Sequence, residues 1–418
     1  MKKTLLITLF LLLIVGPTMV FASADDYDPV LVNRYKQVAE PFVGTNVRLL
    51  GMGGAGLGVR GYHDSFLVNP ANLAKSGFKF TLPSVTVTAF NPAAILESDL
   101  IDAVGDEDYA LVAAEFLNLF EKGYGDVLTT DVSTVLTIGS FGLALEMQER
   151  LMSYQSDYDS GSLNMIAQIT TAATAGLGFR IGLVPEKVSI DLGVTAKAVY
   201  KGYYEAINDD LATSLIDGSQ DIDDILINDT PFIAGYALPI SAGVNVNLPI
   251  GLTLSAAAKN FNGNYKMTTY QSINDWSAEV LGTEIGDDTS DDSLFTSEEF
   301  EIESDWRLDA GLTWAPDIGS LIRPVLAVDV VDVMAMSGLK DEDLKRAFYE
   351  QTRIGASLRL LSILDVRAGI SQGYKSIGAG FDLLIFHIDA AYYVQEYGES
   401  IGDKPLDALS LRFSLFSR

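Results

Sequence analysis

Residues 384–395 read LIFHIDAAYYVQ, and in this stretch the even-numbered positions are all apolar. The odd-numbered positions include His387, Asp389 and Gln395. Successive side chains of a β-strand point to opposite faces, so the stretch predicts a strand with one apolar face and one more polar face. The same alternation recurs over 353–360, 365–371 and 409–416. The last third of the chain is therefore predicted to consist of closely spaced strands.

Two all-β architectures could hold such strands. A soluble sandwich would bury the apolar faces, but strands of roughly ten residues following one another so closely are unusual there. In an outer-membrane barrel, apolar residues face lipid, whereas polar, charged or glycine residues face the lumen. The pattern favours a transmembrane antiparallel β-barrel.

Alternation along the rest of the chain predicts fourteen strands after Gly77. An even number is typical of bacterial barrels. The connections after even-numbered strands are short, whereas several after odd-numbered strands are long, such as 90–130, 202–230 and 266–302. Short periplasmic turns that alternate with long external loops are the pattern of these barrels. The predicted strands are 78–89, 131–139, 141–154, 162–180, 186–201, 231–247, 251–265, 303–315, 320–333, 351–361, 363–371, 375–382, 384–395 and 407–417.

The first residues have the composition of a secretory signal. Two lysines precede an apolar core over 5–15, and Ala22-Ser23-Ala24 fits a cleavage site. The apolar core is too short for a membrane-spanning helix. We therefore expect export through the general secretory route to the outer membrane of a double-membraned bacterium. The predicted parts are a signal peptide at 1–24, an N-terminal segment at 25–77 that precedes the first clear strand, and the barrel at 78–418.

Composition restricts the class of partner. The chain has 56 acidic and 28 basic residues, a net charge of -28, and no cysteine. A nucleic-acid-binding face would need the opposite charge, so nucleic acid is not an expected partner. The mean hydropathy is nevertheless +0.22. A barrel accounts for both values, because apolar residues face lipid while acidic residues collect in loops and lumen.

A glycine-rich run lies near the start of the predicted mature chain. Residues 51–56, Gly-Met-Gly-Gly-Ala-Gly, match the dinucleotide pattern G-x-G-x-x-G. That pattern indicates nucleotide binding only between a strand and a helix of a βαβ unit, which this chain does not predict. The run instead favours a tightly turning segment that packs closely against other backbone.

Beyond this run the chain resembles a known family. The run is followed by Asp64-Ser65 and by Asn-Pro-Ala-Asn-Leu-Ala at 69–74, which resembles the amino-terminal signature of the FadL-like outer-membrane proteins. These include long-chain fatty acid transporters and a PorV-like branch. Leu-Asp-Val-Arg-Ala-Gly-Ile at 364–370, with Gly373-Tyr374 and 378–380, is similar to that family's closing strands. The middle of the chain carries no such motif.

The resemblance implies a fourteen-stranded barrel with an N-terminal hatch inside the lumen. It implies passive uptake of hydrophobic or amphipathic small molecules, such as long-chain fatty acids, across the outer membrane. The PorV-like branch implies an alternative, a non-transporting scaffold or secretion partner that binds a surface or periplasmic protein. The hatch and gating residues implied by the resemblance are Gly51, Gly53, Gly54, Asn69, Pro70 and Ala71.

The long loops also have features of their own. Helices are predicted at about 107–121 and 341–350. Loop 266–302 is acidic; its oxygens could bind calcium, but their spacing matches no known calcium loop, and a solvated acidic surface is the favoured interpretation. Apolar residues on the first helix are candidates for ligand capture, and these are Leu111, Val112, Phe116 and Phe120.

Catalysis is not predicted. His387 and Asp389 should share a lumenal face, but no G-x-S-x-G motif accompanies them, so a hydrogen-bonded pair is favoured over a hydrolase. With two histidines and no cysteine, no zinc site, other metal site or cofactor is expected. Charged residues of both signs are predicted to line the lumen, either as a network that holds a plug or as a polar wall along which substrate moves. They are Glu146, Asp191, Lys197, Arg307, Asp309, Asp329, Arg353, Arg359, Asp365, Arg367, His387 and Asp389.

Overall fold

A computed structural model describes most of the chain. The described residues are 40–99, 111, 124–155, 163–184, 187–205, 232–283, 285, 297–319, 321–383, 385–398 and 400–416. None of the helices within these ranges is long and apolar enough to cross a membrane.

The described residues form fourteen antiparallel strands, three of which are built from two segments. They are β1 (Lys79–Phe90), β2 (Tyr124–Ile138), β3 (Phe141–Gln155), β4 (Leu163–Val184), β5 (Val188–Glu205), β6 (Phe232–Ala237 and Ile240–Asn247), β7 (Leu252–Phe261 and Tyr265–Tyr270), β8 (Glu299–Ile302 and Arg307–Trp314), β9 (Ile322–Val330), β10 (Thr352–Leu360), β11 (Leu364–Ser371), β12 (Tyr374–Leu383), β13 (Phe386–Glu396) and β14 (Pro405–Leu415).

The sheet closes on itself, which confirms the predicted barrel. Each strand pairs with its neighbours along the chain, and β1 pairs with both β2 and β14. Val87 of β1, for example, lies opposite Thr130 on one side and Leu411 on the other. A closed barrel leaves no unpaired strand edge, as a lipid environment requires.

The barrel has the polarity expected for an outer-membrane protein. Apolar side chains point outward and stay accessible, such as Leu411, which is 52% exposed, and Val366, at 45%. Their neighbours Ser410 and Arg367 point inward and are 0% and 3% exposed. A soluble protein would bury the apolar side chains instead, so this inversion indicates a lipid-facing outer wall.

The largest extensions beyond the predicted strands are those of β2 and β7. β2 begins at Tyr124, not at 131 as predicted. The alternation missed these residues because Gly125 has a positive φ and the register shifts between Asp126 and Leu128. β7 resumes at Tyr265 after a short break and pairs with Glu299–Ile302, a region predicted as loop. In both places an irregularity interrupts the period of two that identifies a strand.

Short helices occupy the N-terminal segment and the loops. The described ones are α1 (Val47–Gly51), α2 (Ser65–Val68), α3 (Pro92–Glu97), α4 (Ile273–Trp276, continued by a π-helical turn Ser277–Leu281) and α5 (Asp341–Gln351), with 3-10 turns at Pro70–Leu73, Pro249–Gly251 and Val333–Met336. α5 confirms the helix predicted at 341–350. The helix predicted at 107–121 falls outside the described residues, except for Leu111, which is helical.

Residues 40–77, here called the N-terminal segment, precede the first strand and lie within the ring of strands. α1 packs against β11 to β14, whereas the turn at Pro70–Leu73 packs against β4, β5 and β6. These two groups of strands lie on different sides of the barrel. The segment therefore crosses the lumen.

Candidate functional site

Glycines allow the N-terminal segment to approach the barrel wall closely. A Cβ added to Gly355 of β10 would lie 2.8 Å from the Cβ of Met52, and one at Gly378 of β12 would lie 3.0 Å from the Cα of Gly51. A Cβ added to Gly369 of β11 would overlap the backbone of Met52 and Gly53. The glycines on the lumenal face thus form a backbone-to-backbone contact with the glycine-rich run.

The Asn-Pro-Ala turn is fixed to the opposite wall by amide hydrogen bonds. Asn69 is fully buried; its Oδ1 accepts from the backbone N–H of Ala71 at 3.0 Å, and its Nδ2 donates to Asn245 of β6, also at 3.0 Å. Asn245 in turn donates to Asn72 at 2.9 Å. Asn72 also donates to the carbonyl of Ser65 at 3.0 Å. The turn is therefore held in one conformation from both sides.

Sequence reasoning did not find Asn72 and Asn245 as site residues. Asn72 stands inside the quoted signature, but a sequence pattern shows only that an asparagine is present. The partner Asn245 comes from a strand 173 residues away. Its lumenal position follows from the alternation of β6, yet nothing local indicates which part of the segment it contacts.

Buried ion pairs join α1 to the strands it contacts. Arg48 donates to Asp365 at 2.5 Å, and the two side chains are 7% and 4% exposed. Asp365 also accepts from Arg367, at 3.2 Å, and Arg367 contacts Asp389 at 2.6 Å. His387 lies 2.6 Å from Asp389. The His387–Asp389 pair thus belongs to a charge network that reaches the N-terminal segment.

A second set of contacts holds the segment beyond α1. The carboxylate of Asp329 on β9 accepts from the backbone N–H groups of Gly56 and Leu57 at 2.6 and 2.8 Å. Arg60 pairs with Asp191 of β5 at 2.5 Å. Arg180 of β4 binds the same carboxylate at 2.5 Å. The segment thus has charged or hydrogen-bonded contacts on several sides of the lumen.

His63 and Asp64 contact the last strand. Arg412 of β14 donates to Asp64 at 2.8 Å and to Nε2 of His63 at 2.5 Å. An imidazole nitrogen that accepts from a guanidinium carries no proton, so His63 is the neutral tautomer protonated on Nδ1. Burial is the largest cause that lowers the pKa of His63, and the nearby positive charges of Arg412 and Arg48 lower it further, to about 4.

The remaining predicted lumenal residues pair partly with one another and partly with residues outside the predicted set. Lys259 bridges to Asp309 at 2.8 Å, and Arg307 lies 3.6 Å from the same carboxylate. Arg359 pairs with Asp382. Arg353 donates to the carbonyl of Glu350 at 2.6 Å and contacts Gly54 of the segment. The predicted set therefore faces one lumen but divides into several separate clusters.

A cavity of about 640 Å³ lies in the lumen beside the N-terminal segment. Much of its lining is charged, but Phe42 marks an apolar region at one side of it. Phe42 is 9% exposed. We call this region the Phe42 chamber; its other buried side chains are Met152, Ile166, Ala172, Val199, Tyr203, Ala237, Tyr265 and Met267.

Two lysines lie at the edge of the Phe42 chamber. Lys197 Nζ donates to the carbonyl of Phe42 at 3.2 Å and lies 4.9 Å from the centre of its ring. Lys201 Nζ donates to the carbonyl of Glu40 at 3.2 Å and lies 4.1 Å from the ring centre of Tyr265. Lys197 also lies 3.6 Å from Glu146. The chamber thus combines an apolar interior with cationic groups bound to backbone carbonyls.

Of the predicted ligand-capture residues, Val112, Phe116 and Phe120 lie outside the described residues. Leu111 is described and is 38% exposed. On the described loop helix α5, Leu344 and Phe348 are 40% and 52% exposed. Apolar side chains are therefore accessible on at least one of the long loops.

Comparisons with known proteins found similar chains among solved structures only. No family model and no curated protein matches the chain. Among solved structures, it is similar to a FadL homologue of Pseudomonas aeruginosa (13% identity, TM-score 0.40, covering 90% of this chain and 98% of that one). It is also similar to the Pseudomonas putida toluene transporter TodX (10% identity, TM-score 0.42, covering 90% of this chain and 98% of that one). A third similar structure is the CymD monoaromatic hydrocarbon channel (13% identity, TM-score 0.44, covering 90% of this chain and 97% of that one).

At such low identity the likeness concerns the fold, which the strand pairing already establishes. In this chain both FadL-like motifs lie in the lumen, one against β10 to β12 and the other against β6.

Proposed function

We propose that this protein is an outer-membrane channel for passive uptake of hydrophobic and amphipathic small molecules, such as long-chain fatty acids. The N-terminal segment acts as its hatch. The observation that carries this proposal is the Phe42 chamber, one of several apolar regions of the lumen, which the protein fills with its own side chain. Ligand sites are typically apolar concavities with a few polar groups that fix orientation.

The edge of the chamber suits a carboxylate headgroup. Lys197 and Lys201 hold backbone carbonyls of residues 40 and 42, and a carboxylate would replace these carbonyls with stronger, charge-assisted hydrogen bonds. An alkyl chain would take the place of the Phe42 ring. The chamber therefore favours a molecule with one anionic end and one apolar end.

Residues 42–48 connect the chamber to the hatch. The backbone N–H of Thr45 donates to Asp131 at 3.0 Å, and Asn46 caps α1 by accepting from Leu49. Arg48 then reaches Asp365. Because so few residues separate Phe42 from Arg48, expulsion of Phe42 by a ligand displaces the start of α1. A path past residues 51–71 then opens, to the periplasm or sideways through the wall.

The hatch proposal is tested at the Asn-Pro-Ala turn. Asn69 joins the N-terminal segment to Asn245 of β6. Replacing Asn69, Pro70 and Ala71 together removes this attachment, about which we propose that the segment moves. We expect fatty acid uptake by cells to be lost while the barrel still assembles, measured by heat-modifiable migration in gels. Unchanged uptake would contradict the hatch mechanism.

A specific observation favours the alternative, a non-transporting scaffold of the PorV-like type. Buried charge pairs such as Arg48–Asp365 and Arg367–Asp389 close part of the lumen. Organic extraction and mass spectrometry of the purified, detergent-exchanged protein separate the two functions, with a mock purification as control. A stoichiometric hydrophobic molecule supports the channel, and a blank supports the scaffold.

A further inference from the structure

Three cationic side chains of neighbouring strands face one part of the lumen. Lys259 of β7 lies directly opposite Arg307 of β8. Arg353 of β10 is close enough to Arg307 for their positive charges to repel each other. Like charges that face each other across a strand pair are destabilising. We call these three residues the cation cluster, and its arrangement is unfavourable unless enough negative charge lies beside it.

Two carboxylates lie beside the cation cluster, but they do not balance it. Asp309 lies 2.8 Å from Lys259 and 3.6 Å from Arg307. Asp329 of β9 accepts two backbone N–H groups of the N-terminal segment with one oxygen. Its other oxygen is buried and accepts no hydrogen bond from the described residues. Three cations and two carboxylates leave a net charge of +1.

Arg353 is the least compensated member of the cluster. It lies opposite Asp329 in the strand register, yet among the described residues it makes no ion pair within 4.0 Å. Its Nη1 instead donates to the carbonyls of Glu350 and Thr352, at 2.6 and 3.2 Å. A carboxylate or phosphate oxygen would accept a stronger, charge-assisted hydrogen bond than a carbonyl does. Arg353 therefore has a better partner in an incoming anion than in the barrel itself.

The cation cluster is reached from the lumenal cavity of about 640 Å³. All three side chains line this cavity, and those of Lys259 and Arg307 are 17% and 30% exposed. Asp131 and Glu146, which also line it, lie on β2 and β3, away from the cluster. A concave wall with charge of one sign raises the local concentration of the opposite ion. The β7 to β10 side of the cavity therefore attracts anions.

We propose that the cation cluster binds the carboxylate or phosphate group of a small hydrophilic anion in the lumen. Guanidinium groups donate pairs of parallel N–H bonds to such groups, and the lysine adds a third positive charge. The groups that contact the cluster are carboxylates, backbone carbonyls and Gly54, which favours a hydrophilic anion over a fatty acid. The cluster shares no residue with the Phe42 chamber or its two lysines, so this inference does not rest on the proposed uptake function.

Isothermal titration calorimetry of the full-length protein in detergent tests the site, with citrate as the carboxylate probe and inorganic phosphate as the phosphate probe. We expect one saturable binding event, and the probe that binds more tightly identifies the preferred group. Replacing Arg307→Gln and Arg353→Gln together should weaken this event roughly tenfold or more. The matched control is Arg346→Gln on α5, which is 64% exposed and does not line the cavity, and it should bind as the unaltered protein does.

A conservative variant gives a second readout. Arg353→Lys keeps the charge but removes the guanidinium fork, so its affinity should lie between those of the unaltered protein and Arg353→Gln. Heat-modifiable migration shows that each variant is folded. Equal affinity of the double variant and the Arg346→Gln control would overturn the proposal, as would the lack of saturable binding with both probes.

Competition with a long-chain fatty acid separates this site from the Phe42 chamber. We expect the fatty acid to leave the bound anion in place, and the double variant to bind fatty acid as the unaltered protein does. Displacement of the anion by the fatty acid would overturn the proposal, because the cluster would then serve the amphipathic ligand. A failure of fatty acid binding alone would count against the proposed uptake function and not against the anion site.

Discussion

At the scale of single residues, glycine is what permits the N-terminal segment to lie against the wall. Gly369 of β11 faces the backbone of Met52 and Gly53, so any side chain there would occupy space that the segment now fills. The atoms nearest to its added Cβ belong to the segment, not to the barrel. A larger residue should therefore displace the segment and leave the strands intact.

We predict that Gly369→Val detaches the glycine-rich run from β11. Amide hydrogen exchange at residues 47–58 should become more than about tenfold faster, which corresponds to about 1.4 kcal/mol of lost contact free energy. Ala368→Val, on the outward face next to it, is the matched control. Equal protection in both variants would show that the close approach is not needed to hold the segment.

His63 makes the attachment depend on pH. Its pKa is about 4 in the docked segment because of burial and the neighbouring guanidinium groups, against about 6.5 when the segment is released. The released form therefore binds more protons between these pH values. The free energy that holds the N-terminal segment to the barrel is therefore largest above about pH 6.5. It decreases as the pH falls towards 4, by up to about 3 kcal/mol.

We accordingly predict that residues 60–66 become accessible to protease between pH 6.5 and 4.5. His63→Gln, which cannot take up the proton, should show a smaller change over the same range. Asp64 should remain ionised there, because the positive charges of Arg412 and Arg48, joined by that of His63 once it takes up a proton, hold its pKa well below its usual range. Identical pH profiles for both proteins would assign the change to another group.

At the scale of elements, the buried Arg48–Asp365 ion pair joins α1 to β11. Removing one member of a buried ion pair leaves the other charge buried without its partner, which costs about 3–5 kcal/mol. We predict that Asp365→Asn loosens α1, with faster hydrogen exchange over 47–51 and increased conductance in planar bilayers. Because Asp365 also accepts from Ser357 and Arg367, the effect should reach β10 and β11 to a smaller extent.

An exposed ion pair supplies the control for that variant. On α5, Lys345 lies 2.6 Å from Glu342, and their side chains are 73% and 86% exposed. Such surface pairs contribute about 0–1 kcal/mol. Glu342→Gln should leave both hydrogen exchange and conductance unchanged. If Asp365→Asn also left them unchanged, the Arg48 contact would not be what holds α1.

The strands were more predictable from sequence than the contacts between them and the segment. The face on which Asp389 or Tyr392 lies depends only on the period of two within β13, which is local information. The contact between Arg48 and Asp365 joins positions 317 residues apart, and it depends on how the segment threads through the closed barrel. Alternation also failed at the β2 bulge, where Gly125 and the register shift interrupt the period.

The Phe42 chamber was not predictable for a similar reason. Met152, Ile166, Tyr265 and Met267 belong to three separated stretches, in β3, β4 and the second segment of β7. Only closure of the barrel brings them together, and only the path of the segment places Phe42 among them. The sequence did identify Lys197 and Glu146 as lumenal, because they lie in regularly alternating strands.

At the scale of the whole molecule, the barrel is stabilised by an apolar outer surface. Leu411 points to lipid from β14 and is 52% exposed. We predict that Leu411→Arg destabilises the barrel by about 2–4 kcal/mol, the cost of a basic residue near the bilayer midplane. Leu411→Ala should cost less. Urea unfolding in lipid vesicles measures both, and an equal effect would contradict the assignment of this face to lipid.

The measurement that tests the proposed ligand site most directly is the binding of a fluorescent long-chain fatty acid by Phe42→Ala. Burial of a phenylalanine side chain contributes about 1.5–3 kcal/mol, so removing this internal competitor should tighten ligand binding roughly tenfold or more. Phe78→Ala, at a position that is 73% exposed and outside the chamber, should bind as the unaltered protein does. Equal affinity in all three proteins would contradict the proposal that a ligand takes the place of Phe42.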